Sequence, residues 1–115
     1  MFRIGIEEIE EITKVIESKQ LFKVNSGELQ ESENLETEMR EKFDVPYTLT
    51  MTSGHAALTS ALVGMGIGPG DQVITTAYTY TATASVICHV GATPVLIDTQ
   101  PDSLEMDYNA MEAAI

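Results

Sequence analysis

Two short segments carry side chains able to do chemistry at useful spacing. Thr52-Ser53-Gly54-His55-Ala56 precedes an apolar helical pattern, so the N–H groups of Gly54, His55 and Ala56 would point toward an anion with the helix dipole behind them. Ser53 adds a hydroxyl, and Gly54 lets backbone approach a ligand closely. The same Ser-Gly pair also serves as a plain helix N-cap, and spacing alone leaves both readings open. The second segment, Thr75-Thr76-Ala77-Tyr78-Thr79-Tyr80-Thr81-Ala82, sets two tyrosines among hydroxyls at the end of a predicted strand. A ring there could stack on a flat heterocycle or simply pack beneath a loop.

Other candidates carry less. Gly64, Gly66, Gly68 and Gly70 imitate a dinucleotide fingerprint, but they follow a helix and lead into a strand, the reverse of the required order. A free-standing nucleotide-binding domain is therefore disfavoured. Cys88 and His89, adjacent on a predicted helix, face different directions, so a buried thiol and a satisfied histidine are expected there. With one cysteine and two histidines, no conventional zinc site is expected.

These segments must be positioned by regular elements. Ile6, Ile9, Ile12 and Ile16 predict an amphipathic helix over residues 6–19, with its glutamates on a solvated face. Residues 21–32 read as a loop, and Leu35, Met39 and Phe43 mark a second helix capped by Ser32 and ended before Pro46. Beyond Pro46 the pattern predicts strand 47–52, helix 54–65, a turn over 66–71, strand 72–75, helix 79–90, strand 93–97 and a helix from Met106. That order predicts an α/β fold, a mainly parallel sheet with helices on both faces. The 115 residues read as one partial domain, with a helical segment over 1–46 and a βαβαβα part over 47–115.

Composition bounds the function. Apolar residues make up 43% of the chain and charged residues 21%, an ordinary globular balance. The net charge is −12, and all six Lys and Arg lie at or before Lys42, so the second half has no basic patch for nucleic acid or an anionic membrane. A single cysteine excludes an intrachain disulfide and fits a reducing cytoplasm; no signal peptide or membrane-spanning run is read.

The chain resembles the DegT/DnrJ/EryC1/StrS aminotransferases, pyridoxal phosphate (PLP) enzymes of the aspartate-aminotransferase fold. The resemblance rests on four blocks in order: Thr52 to Leu58, Met65 to Thr75, Tyr78 to Thr83, and Gly91 to Val95 with Ile97-Asp98. It implies that Ser53, Gly54, His55 and Ala56 hold the PLP phosphate, that Tyr80 stacks on the pyridine ring, and that Asp98 is structural. His55 stands where the family usually has threonine, exchanging a hydroxyl for an imidazole.

The resemblance also implies what to look for elsewhere. PLP transamination needs a lysine amine and a carboxylate at the ring nitrogen, and no lysine of this sequence matches the family position. No catalytic residue is assigned. The expectation is the N-terminal portion of a nucleotide-sugar aminotransferase, inactive alone, whose whole would move an amino group from glutamate or glutamine to a keto-sugar. Such an enzyme would work as a homodimer or with a missing C-terminal half. The alternative is a non-catalytic remnant or binding module with weak PLP or phosphate binding.

Overall fold

A computed structural model describes residues 4–24 and 30–115. The chain divides into two compact units, Met1–Thr50 and Met51–Ile115.

The first unit holds helices α1 (Ile6–Ser18) and α2 (Glu31–Phe43). At the start of α1, the Glu8 carboxylate accepts the Gly5 N–H at 2.6 Å, and this bond holds its pKa below the usual carboxylate range. The isoleucine row predicted for this helix remains exposed, at 57–65%. The N-cap of α2 lies two residues before the predicted one. Gln30 is the N-cap residue and Ser32 lies inside the helix, because Glu31 and Glu33 favour the positive end of the helix dipole. Arg40 and Lys42 complement the other end. The predicted loop over 21–32 thus ends at Gln30, and its residues 25–29 lie outside the described residues.

Residues 47–52 do not form the predicted strand. Their β-branched and aromatic composition favours extended chain, but a strand also needs a ladder partner. Here the Thr50 N–H, which a ladder would use, donates instead to Glu36 Oε1 at 2.6 Å. Thr48 Oγ1 likewise donates to the Glu36 carbonyl at 2.6 Å. Glu36 is the one buried residue described in this unit, and its Oε1 also accepts from Lys23 Nζ and from Thr50 Oγ1. Those donors, led by the Lys23 ammonium, hold its carboxyl down to about 2.

The second unit contains α3 (Gly54–Gly64), β1 (Gln72–Thr76), α4 (Thr81–His89), β2 (Thr93–Ile97) and α5 (Tyr108–Ala113). Strands β1 and β2 pair in parallel with Gln72 opposite Thr93 and Thr76 opposite Ile97, so among the described residues the sheet has two strands rather than three. This is the α/β order expected, with α4 making the crossover and packing on both strands. Leu62, Val86, Ile87 and Ala92 form the core, joined by Ile67, Val73 and Val90. Helix α4 starts at Thr81 rather than Thr79, and α5 starts at Tyr108 because the Asp107 side chain caps it, accepting from Asn109 and Ala110.

The glycines that imitate a nucleotide loop terminate a helix and shape a turn. The Ile67 N–H reaches back to the Leu62 carbonyl at 3.0 Å across Gly66, which has φ +80°. Helix α4 ends the same way, with the Ala92 N–H on the Ile87 carbonyl at 3.1 Å across Gly91 at φ +83°. The two positions differ in their surroundings: a Cβ on Gly66 would meet nothing within 4 Å, whereas one on Gly91 would lie 2.9 Å from Pro69 Cγ. Gly66→Ala should therefore cost only the left-handed backbone penalty, about 1–2 kcal/mol. Gly91→Ala should cost more than Gly66→Ala, because a clash adds to the same penalty. Equal losses in thermal denaturation of the two variants would show that the Pro69 contact is immaterial.

Candidate functional site

Ser53 ends the extended chain with φ −163° and ψ 161°, a geometry that lets its side chain fold over the first turn of α3. Its Oγ accepts the Ala56 N–H at 3.1 Å, and its carbonyl accepts the Ala57 N–H at 3.0 Å. The cap is thus formed, and it uses the Ala56 donor. The N–H groups of Gly54 and His55 have no acceptor among the described residues, leaving two adjacent donors at the positive end of an eleven-residue helix. A Cβ on Gly54 would meet nothing within 4 Å, so the approach to these donors is open.

His55, on that same turn, pairs with the chain's other histidine. Its Nε2 lies 3.0 Å from His89 Nδ1. The contact ties the first turn of α3 to the last residue of α4. His89 is a satisfied histidine, as the sequence predicts, and its partner is the other histidine, 34 positions away. The one available signal was that these are the only two imidazoles in the chain. Cys88, expected to be buried, is exposed, because α4 turns Val86 and Ile87 inward and presents the next residue to solvent.

Tyr80 is the N-cap residue of α4, at the opposite end of that helix from His89, and the residue is 82% exposed. No described hydrogen bond or ring contact joins it to Ser53–Ala56. Asp98 follows β2; its carboxylate accepts the Thr99 N–H at 2.8 Å and its carbonyl accepts the Asp107 N–H at 2.9 Å. These bonds shape the turn leading to α5.

Beyond Lys42 the chain has no lysine or arginine. An anion on α3 would be held by backbone donors, the helix dipole and the Ser53 and His55 side chains. This suits a phosphate bound through N–H groups, as at many helix N-termini. Among the described residues no cluster of three or more His, Cys, Asp or Glu could hold a metal ion, and no helix is long and apolar enough to cross a membrane.

The family model of the DegT/DnrJ/EryC1/StrS aminotransferases matches residues 3–115. The chain belongs to this family. Spore coat polysaccharide biosynthesis protein SpsC of Bacillus subtilis is 40% identical over 112 residues, 97% of this chain and 28% of that protein. GDP-perosamine synthase of Caulobacter vibrioides is 45% identical over 71 residues, 62% of this chain and 19% of the synthase. A Streptococcus pneumoniae protein described as a sugar aminotransferase, solved in its PLP form, superposes with a TM-score of 0.85 at 38% identity, covering 98% of this chain and 28% of that one. The chain therefore spans less than a third of the length of the sugar aminotransferases it matches.

Proposed function

We propose that this chain supplies the phosphate-binding part of a PLP-dependent nucleotide-sugar aminotransferase, with Ser53, Gly54, His55 and Ala56 as the cradle and Tyr80 as the ring that stacks on the cofactor. The observation that carries the reading is the pair of N–H donors at Gly54 and His55, without acceptors among the described residues and within the span that the family model matches. Within this reading residues 1–115 form one partial domain, its helical segment over 1–46 and its cofactor-binding part over 47–115.

When bound, PLP supplies the electron sink for moving an amino group. The residues of this chain bind and orient. Gly54 and His55 donate N–H groups to phosphate oxygens, Ser53 holds the turn in shape through Ala56, and the α3 dipole offsets the anion's charge. The lysine and the ring-nitrogen carboxylate have no match in these 115 residues, so the chain alone is proposed to be inactive, and in a complete enzyme other residues would supply them. The proposed acceptor is a nucleotide-linked keto-sugar, in keeping with the nucleotide-linked sugar in the name of the GDP-perosamine synthase relative, with glutamate or glutamine as donor, in a cytoplasmic homodimer or an assembly with a C-terminal half.

Pyridoxamine phosphate is the suitable probe, because it has no aldehyde to react with stray lysines. Equilibrium dialysis should show saturable binding of pyridoxamine phosphate and much weaker binding of pyridoxamine. Equal retention of the two compounds would remove the phosphate cradle from the proposal.

A further inference from the structure

The two histidines of this chain form one hydrogen-bonded unit beside the proposed cradle. The ring centroids lie 5.3 Å apart and the nitrogens 3.0 Å apart. The difference is about two ring radii, so both nitrogens sit near the line joining the centres. Each lone-pair axis then points at the opposing nitrogen. That is the geometry of a direct N–H···N bond; a metal ligated by both nitrogens would need them turned toward a common point off that line.

A neutral imidazole has one donor and one acceptor nitrogen, so this bond couples the two tautomers. If His55 donates through Nε2, its Nδ1 bears a lone pair and repels an anion. If His89 donates through Nδ1, His55 accepts at Nε2 and carries its own proton on Nδ1, the ring nitrogen nearer the backbone. Only the second arrangement gives the first turn of α3 a third donor beside the N–H groups of Gly54 and His55. A bound phosphate stabilises that arrangement because it interacts differently with the two.

We propose that His89 is a positioning residue for the phosphate turn: its Nδ1–H, donated to His55 Nε2, holds His55 in the tautomer whose Nδ1–H is offered to a phosphate oxygen. This rests on reading Ser53–Ala56 as a phosphate cradle. No net proton is gained or lost; the two tautomer changes exchange protons with water.

The test uses the full chain with pyridoxamine phosphate, at a pH above the usual histidine range so that both rings are neutral. In the complex, ¹⁵N chemical shifts should report the Nδ1–H tautomer at both His55 and His89. An Nε2–H tautomer at either ring would overturn the relay. His89→Leu, at an exposed position, should weaken binding by up to about tenfold, because His55 must then take the Nδ1–H tautomer with no donor at its Nε2. His89→Asn, whose amide N–H can stand where Nδ1–H stood, should restore it. Wild-type affinity in His89→Leu, with circular dichroism unchanged, would overturn the relay and leave the cradle standing. No preference of the wild-type chain for pyridoxamine phosphate over pyridoxamine would overturn both.

Discussion

Gly54→Pro should lower the affinity for pyridoxamine phosphate roughly ten- to a hundredfold while α3 stays folded. A hydrogen bond to a charged group contributes about 1.5–3 kcal/mol, and each 1.4 kcal/mol is about tenfold in affinity. Proline at this position removes one of the two free N–H donors and little else. Position 54 is the first residue of α3, where proline's fixed φ suits a helix and its missing N–H leaves no helical bond unmade. Ser53 is already in the extended conformation that a residue before proline requires. The space around a Cβ at this position is open. Gly54→Ala, which keeps the N–H, is the matched control and should bind as the wild type does. If the proline variant retained full affinity with unchanged helix content, the Gly54 N–H would not be a phosphate donor.

Loss of the Glu36 carboxylate should have the largest effect on the first unit. Its only buried residue among those described is this acid, so the unit is organised around a polar junction and not around an apolar core. Glu36 joins α2 to Lys23 and to the segment carrying Thr48 and Thr50. Removing it leaves the Thr50 N–H without its acceptor and the Lys23 ammonium with only Thr50 Oγ1, the costly direction of change. Glu36→Leu should abolish hydrogen-exchange protection of the Thr50 amide at neutral pH. Glu36→Gln, which keeps an acceptor oxygen, should retain part of it.

The sign of the pH dependence follows from the direction of the shift. The folded carboxyl is held down to about 2 against an ordinary value of 4.5. Its contribution is therefore complete above about pH 4.5 and is lost as pH falls toward about 2. Protection of the Thr50 amide should fall through that window in the wild type and stay flat across it in Glu36→Gln. A flat wild-type profile would mean that the Lys23 and Thr50 contacts do not stabilise the ionised form.

Much of the second unit was legible in the sequence because its signals are local. Apolar spacing, Gly66 and Gly91 past two helix ends, and β-branched runs each act within a few residues, so α3, α4, β1 and β2 lie close to their expected bounds. Ser53 as the cap of α3 was legible for the same reason: a hydroxyl three residues before an N–H is a local event. The strand expected at 47–52 failed because pairing is not local. The segment's composition favours extended chain, but Glu36, fourteen positions earlier, takes the Thr50 N–H that a ladder would use.

The division at the site follows the same physics. By itself the sequence determined where a phosphate turn could stand, that no lysine or arginine follows Lys42 to neutralise an anion, and which family the blocks resemble. The tertiary structure decided which donors remain free there. It gave the Ala56 N–H to Ser53, left those of Gly54 and His55 without acceptors among the described residues, and brought His89 against His55 from 34 residues away. Helix packing, not spacing, brings those two imidazoles together, since α3 and α4 meet only when both bury their apolar faces in one core.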